Sequence, residues 1–537
     1  MPRNLFLKFL RKNQTQILKI IPLILILAIY SWFFFRNLAM LPDPNDPLEY
    51  IAPSVWHTLV DIYPWLDRII IADSIRLFSL VMRPEIAGAV YFGLINYLIL
   101  IIATIWAYRQ RGFWTAFLCI FFLSISYPLL RYANYGYSDA TVALFSLLAF
   151  IVCFRAKKRS FLWAGIFTAL AFFSKVTGLA VLIFFLADML FKKDFQGLKN
   201  FFLGIIIGVA TAFSLTILLF GFESLKETIL KIGFNFSSNT EPRSIIADSG
   251  YNILHPEILL PGYLALIVFI AGYKDFLIRK LFLFSLFFIG FFAILVIFSH
   301  HVIVYPHYLF TAYIFASIGM SFYLAKISQK ISDSTKYFLA FSSVVLVFLG
   351  ITLGLARPNF LESYLEYAPT WFKASYVIFF LIIILLMVLI ASLKKTSLAI
   401  VFIILMAFFG SLFTSASAYS YIHRQKLIAT SAYVFAQILG QSPSAEVKVY
   451  ADFPNETSKN RALWVYSLFY DHQHNRDSAS KNQEDIARTI TFIEEKNLDS
   501  DWNFLLTDNE KEVRLKFPQA NIIKALPEFG LYLFSRS

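Results

Sequence analysis

The chain has 537 residues, 58% of them hydrophobic and 15% charged, with a mean hydropathy of +0.66; ordinary soluble domains are roughly 45–50% apolar and about 25% charged, so a soluble protein is excluded. The net charge of +13 would in a soluble chain point to nucleic acid or another polyanion, so its meaning depends on where the charges lie. Two cysteines exclude a disulfide framework and a cysteine-based metal site, and the 60 phenylalanines, an excess, fit side chains that face lipid.

A helix needs about 20 mostly apolar residues to cross roughly 30 Å of hydrocarbon. Runs of that kind predict thirteen passes, near 17–35, 86–107, 113–130, 139–154, 161–173, 177–191, 199–220, 258–273, 281–299, 303–325, 337–356, 374–393 and 397–419. The first follows Arg3, Lys8, Arg11, Lys12 and Lys19 with no small-residue cleavage site behind it, which predicts a retained anchor and a cytoplasmic N-terminus.

The outer loop 36–85 opens with Leu41-Pro-Asp-Pro-Asn-Asp-Pro-Leu-Glu-Tyr50. Three prolines stiffen it, which places Asp43, Asp46 and Glu49 on a defined turn. A positioned carboxylate can take a proton from an attacking hydroxyl; the plainer reading is an acidic, solvated loop. Further on, Leu66–Met82 carries apolar residues at helical spacing with Asp67, Arg68, Asp73 and Arg76 between them, the pattern of a helix lying in the interface plane. For Arg68 and Arg76 the choice is between an anion contact and snorkelling to water.

The next outer turn is Arg131-Tyr-Ala-Asn-Tyr-Gly-Tyr-Ser-Asp139, with Asp139 opening a helix. Capping alone would account for that aspartate. The apolar run 161–191 is flanked by basic residues on both sides, Arg155, Lys157, Lys158 and Arg159 before it and Lys192 and Lys193 after it. Two basic flanks imply an even number of passes, so the run reads as two short helices meeting at Ser174-Lys175-Val176-Thr177 near the outer face. A single tilted helix is the alternative. Lys175 there either reaches water or receives an anion.

With two helices, the cytoplasmic segments hold 22 Lys and Arg against 4 Asp and Glu, the outer loops up to 419 hold 11 against 15, and the tail holds 14 against 15. This is the positive-inside asymmetry, so the basic excess reports topology and no nucleic-acid partner is expected. His300, His301 and His307 surround Tyr305-Pro306 on the outer side; no carboxylate lies beside them and no HExxH spacing is present, so phosphate or sugar hydrogen bonding is favoured over zinc. From 420 onward the composition is that of a soluble domain, strand-like at 446–451, 502–506, 521–524 and 529–534 and helix-like at 457–470 and 483–497. The fold class is thus a polytopic α-helical membrane protein with about thirteen transmembrane helices (1–419) and a small C-terminal mixed α/β domain outside the membrane (420–537).

The middles of the passes carry almost no ionisable residues, unlike an ion-coupled transporter, and the polar groups gather on the outer face. In this arrangement the chain resembles the GT-C superfamily of membrane glycosyltransferases, in the branch of protein O-mannosyltransferases and lipid A aminoarabinose transferases. Asp46 and Tyr50 match that family's acidic first-loop motif, with Pro47 where a Glu is usual and Glu49 or Asp43 as stand-ins. The Tyr132–Asp139 turn resembles its segment before the fourth helix, and Gly165-Ile-Phe-Thr-Ala-Leu-Ala-Phe-Phe-Ser-Lys-Val-Thr-Gly178 resembles its Gly-Leu-Ala and lysine run. His307-Tyr-Leu-Phe310 resembles a later Arg-Tyr-Leu-Leu element.

The resemblance implies an inverting glycosyltransferase that moves a sugar from a polyprenyl-phosphate carrier to a lipid, glycan or protein acceptor at the outer face of a bacterial inner membrane. It implies Asp46, Glu49 and Asp139 as catalytic carboxylates, Lys175, Arg68 and His307 on the donor phosphate, and Tyr50, Asn134 and Tyr308 on substrate. No cofactor is expected; a divalent metal on Asp43, Asp46 and Glu49 is the alternative. A lipid-linked oligosaccharide flippase or polymerase, or a non-catalytic membrane scaffold, is the competing reading.

Overall fold

The computed structural model describes residues 3–36, 46–56, 68–132, 138–154, 158–235, 271–299, 309–356, 370–416, 418–419, 422, 446–451, 489–492, 504–507, 510–526 and 531–535. Helices dominate. Helix α1 runs over Arg3–Arg36, and two helices follow in the first outer loop, α2 (Asp46–Trp56) and α3 (Ile69–Ser79). The acidic segment expected as a turn therefore enters a helix at Asp46. Pro47 is no obstacle there, because a proline in the first turn lacks only an N–H that would have no partner anyway.

The bundle continues through α4 (Pro84–Arg111), α5 (Phe113–Ser124), α6 (Tyr127–Tyr132), α7 (Ser138–Cys153) and α8 (Lys158–Phe172). The expected single pass over 113–130 is broken at Ile125–Ser126. Pro128 explains this, since its ring would clash with the carbonyl of Ser124, four residues back, where α5 stops. After α8 the chain leaves helical geometry. A short 3₁₀ turn over Val176–Gly178 leads into α9 (Leu179–Phe191), so 161–191 is two short helices and not one tilted span.

Then come α10 (Phe195–Phe220), α11 (Phe222–Asn235), α12 (Phe276–Ser299), α13 (Phe310–Ile327), α14 (Asp333–Ala356), α15 (Thr370–Leu393) and α16 (Thr396–Leu405). The helix α16 passes through a π turn over Met406–Gly410. Among the described residues five helices are long and apolar enough to cross a membrane, and six shorter apolar helices accompany them. The chain is an integral membrane protein. The expected pass at 258–273 lies almost wholly outside the described residues.

In a bilayer, helices gain nothing by hiding apolar surface from lipid, so close van der Waals packing has to hold them together. Two devices supply it. Small residues let α8 and α10 touch: a Cβ on Gly204 would sit 2.0 Å from the Leu162 carbonyl oxygen, and one on Gly165 would sit 2.1 Å from that of Phe201. Aromatic rings fill the rest. Phe117, Phe121, Phe122, Phe282, Phe284, Phe288 and Phe310 are fully buried, and Phe284 stacks on Phe315 at 4.2 Å between centroids. Much of the phenylalanine excess is therefore interhelical packing, and not the lipid-facing surface that composition predicts. Helix α13 is buried along its length, while α10 turns Leu203, Ile206 and Leu218 outward.

Near the C-terminus, β1 (Glu446–Ala451), β2 (Thr489–Phe492), β3 (Phe504–Thr507), β4 (Asn521–Leu526) and β5 (Leu531–Ser535) form one sheet in the order β2-β1-β3-β5-β4, with a short helix over Glu510–Lys516. β1 pairs in parallel with β2 and β3, and the other pairs are antiparallel. β2 lies inside the segment expected to be helical at 483–497; its Thr-Ile-Thr-Phe run is β-branched and aromatic, which suits an extended strand. The helix-like stretch 457–470 lies outside the described residues.

Candidate active site

The two short helices α8 and α9 put Lys175 at one end of the bundle. Helix α8 ends where the Ser174 hydroxyl bonds back to the Leu170 carbonyl at 2.7 Å, and Lys175 itself is extended. The Gly178 N–H then closes the turn on the Lys175 carbonyl at 2.8 Å. Gly178 is required by space: a Cβ there would lie 2.4 Å from the carbonyl carbon of Ala171 and 2.5 Å from its oxygen, backbone atoms that cannot rotate away. Gly178→Ala is therefore expected to displace the Lys175 turn and to cost about 1–3 kcal/mol of stability, as overpacking does. An unchanged thermal midpoint in detergent would show that the turn has room.

From this turn the Lys175 ammonium donates to Asp139 Oδ2 at 2.8 Å, with both groups buried. Asp139 is the second residue of α7, and the helix N-terminus favours its negative charge. It is thus more than a cap: it holds the Lys175 ammonium at the mouth of the bundle. Beside it, Ser138 accepts from the Tyr50 hydroxyl at 3.5 Å. That hydroxyl in turn accepts from Arg68 Nη1 at 2.8 Å, and the guanidinium carbon lies 5.3 Å from the Tyr50 ring centroid, in cation–π range. Lys175 and Arg68 both bear electrostatically on the Asp139 carboxylate.

The local sequence explains how these groups meet. Arg68 immediately precedes α3, and the Ile70 N–H donates to the Phe173 carbonyl at 3.2 Å, tying the start of α3 to the chain two residues before Lys175. Ile69, Ile70, Phe173 and Ala212 bury together under this contact. At the other end of α3, Arg76 Nη1 donates to the Ser54 carbonyl in the last turn of α2 at 3.3 Å, satisfying one of the carbonyls a helix end leaves open. Arg76 thus holds α2 against α3 and does not simply extend to solvent.

Four of the residues singled out by sequence, Tyr50, Arg68, Asp139 and Lys175, come together here from four separate segments. Asp46 and Glu49 lie on the backbone of the first turn of α2, with Asp46 one turn before Tyr50. Asn134, His307 and Tyr308, with Asp43, His300 and His301, lie outside the described residues. Ser138 was not foreseen, because nothing marks a helix-opening serine as a partner for a tyrosine 88 residues away. Among the residues whose side chains are described, no group of three His, Cys, Asp or Glu is placed to hold a metal; the Asp43, Asp46 and Glu49 side chains are not among them.

The opposite end of the bundle is basic. Lys280 and Lys192 both pair with Asp188 at the end of α9. Asp275 pairs with Arg111 at 2.5 Å and Lys326 at 3.3 Å. Helix α9 runs from the Lys175 turn to this second cluster, so the two lie at opposite ends of it.

No family profile matches the chain, and no curated protein sequence does. Its fold does have a counterpart among solved structures. The crystal structure of ArnT from Cupriavidus metallidurans in the apo state superposes with a TM-score of 0.53 at 14% sequence identity, over 96% of this chain and 97% of that one. The structure of ArnT bound to undecaprenyl phosphate matches over the same shares with a TM-score of 0.46 at 13% identity. The chain has the fold of ArnT, in line with the fold the sequence resemblance implied.

Proposed function

We propose that the chain is a glycosyltransferase that takes a sugar from a polyprenyl-phosphate carrier at the outer face of the membrane and passes it, with inversion, to a lipid, glycan or protein acceptor. The observation that carries this reading is the buried Lys175–Asp139 pair beside Arg68 and Tyr50, two cations and one anion gathered at one end of an otherwise apolar bundle. Taken with the basic opposite end, this supports a site facing outward, with the N-terminus cytoplasmic and the C-terminal sheet outside the membrane.

The chemistry suits the residues. When a sugar leaves a carrier phosphate, negative charge collects on the phosphate, and the leaving group needs cations more than a proton. Lys175 and Arg68 supply them. Asp139 fixes the ammonium before the donor arrives, so little reorganisation accompanies the reaction. Asp46 accepts the proton of the acceptor hydroxyl or amine as it attacks the anomeric carbon from the face opposite the phosphate. Tyr50 positions Arg68 and lines the approach to the donor, with Glu49 alongside on α2. Asn134, His307 and Tyr308 are assigned to substrate on the sequence resemblance, and no cofactor is assigned.

Comparing the surface glycolipids and glycoproteins of cells with and without the gene by mass spectrometry tests this reading and narrows the acceptor. Loss of one glycan modification, restored by the wild-type gene and not by one encoding Lys175→Ala, is the expected result. Unchanged glycolipid and glycoprotein masses would contradict it.

A further inference from the structure

One ionisable group near the site plays no part in this chemistry. Asp73, halfway along α3, is fully buried. Patterning placed it among the polar positions of an interfacial helix; it lies instead on the buried side, with Ile69, Ile70, Ala72 and Ile75. It faces α10, where Thr216 Oγ1 lies 2.8 Å from Asp73 Oδ2, while Asp73 Oδ1 has no hydrogen-bond partner among the described residues.

We propose that Asp73 is a positioning residue: through Thr216 it clips α3 to α10, and so holds Arg68, at the start of α3, over the Lys175 turn. The inference rests on the proposed function for Arg68's role, and on geometry for the clip itself. Helix α3 packs on α2, α4 and α10, but its polar attachments are few. Near Arg68 it has the Ile70–Phe173 backbone bond, and near its far end Arg76 reaches Ser54. Between them, the Asp73–Thr216 contact is the polar link to α10 among the described residues.

Counting protons tells what state the clip is in. The Thr216 hydroxyl has one hydrogen and two acceptors in range, Asp73 Oδ2 at 2.8 Å and the Ala212 carbonyl at 3.0 Å. Both contacts are full two-centre hydrogen bonds when the Asp73 carboxyl carries a proton and donates to Thr216 while Thr216 donates to Ala212; with the carboxylate ionised, Thr216 shares its one hydrogen between the two. The environment agrees. On α10 the Thr216 hydroxyl meets Asp73; among the described side chains of the other helices packed on α3, α4 carries Tyr91, which bonds Thr141, and α2 carries Tyr50, which Arg68 engages, while Asp46 and Glu49 of α2 and Glu85 of α4 are not among the described side chains. The cations of α3 itself, Arg68 and Arg76, are turned to Tyr50 and to Ser54. Burial pushes the carboxyl up to about 7 against the lowering effect of the Thr216 hydrogen bond.

The folded protein thus holds this proton more tightly than the unfolded chain. Stability from it is complete below the ordinary aspartate range and is lost as pH rises toward about 7. Above that, the charged carboxylate is buried with no counter-ion among the described residues, and the clip loosens.

The test uses the full chain in nanodiscs with spin labels at Leu77→Cys and Leu218→Cys, exposed positions on α3 and α10, in a background of Cys119→Ala and Cys153→Ala. A narrow inter-label distance at pH 5.5 that broadens at pH 8.5 is expected. Asp73→Asn, neutral at every pH and able to donate to Thr216, should keep it narrow at both. Asp73→Ala and Thr216→Val should broaden it at both, and Thr216→Ser should restore it. In transfer assays Asp73→Ala should lower kcat/KM for the donor about tenfold, because a displaced Arg68 holds both the bound phosphate and the charge that collects on it less well; Asp73→Asn should rescue it. A distance unchanged in both Asp73→Ala and Thr216→Val, or an Asn variant that behaves like Ala, would overturn the clip. If the wild-type chain transfers no sugar, the proposed function fails, and the distance measurements still decide the clip by themselves.

Discussion

Asp46→Asn is expected to lower transfer by about 10²–10⁴-fold, the usual contribution of a positioned general base, with the purified protein folding as before. An amide has nearly the shape of the carboxylate but cannot accept the acceptor's proton at neutral pH. Asp46 is the first residue of α2, and Asn also serves a helix start well, so the thermal midpoint should move little. Lost charge at the helix N-terminus accounts for at most about 1 kcal/mol. The check is an initial rate at saturating donor and acceptor: a rate within about threefold of wild type would remove Asp46 from the role of base, because no other group could then be depending on it for the proton.

Lys175→Met should fail twice over. The Asp139 carboxylate would be left buried without its counter-ion, a loss of about 3–5 kcal/mol when one partner of a buried pair is removed. The donor phosphate would also lose a cation that is held ready at 2.8 Å from Asp139. The two effects separate in a double variant. Lys175→Met combined with Asp139→Asn removes both charges, and most of the stability should return, since a neutral pair carries no such penalty. Transfer should stay absent. Recovered transfer in the double variant would mean that the ion pair only braces the fold.

How much of this was legible beforehand depends on the kind of signal. The five helices long and apolar enough to cross a membrane fall on predicted apolar runs, and the split of 161–191 follows from its two basic flanks, because charge at membrane edges is constrained by the bilayer alone. The break at Ile125–Ser126 is less visible, because Pro128 acts four residues back from where it stands. The helical start at Asp46 was hidden by prolines that read as a turn, although a first-turn position tolerates them. In the tail, Thr489–Phe492 sits in a stretch whose charged surroundings read as helical, and only pairing with β1 fixes it as a strand.

The site divides in the same way. Asp139, Lys175 and Arg68 stand out because a charge beside apolar helices always needs a reason. Their meeting with Tyr50 comes from contacts across 18 to 88 residues, which no local pattern encodes. Asp73 is the clearest case. Helical spacing shows that α3 has an apolar side, but which residues meet α10 is set by tertiary contacts, and Asp73, which lies between the apolar positions in the sequence, is buried against Thr216.

Sugar transfer itself is measured by purifying the wild-type chain in nanodiscs and supplying a synthetic polyprenyl-phosphate sugar with a hydroxyl or amine acceptor. Mass spectrometry then follows release of free polyprenyl phosphate together with the glycosylated product. The expected result is equal amounts of the two from the wild type and neither from Asp46→Asn or Lys175→Met. Product formed at the wild-type rate by both variants, or none formed by the wild type across a panel of hexosyl, pentosyl and aminopentosyl donors, would contradict it.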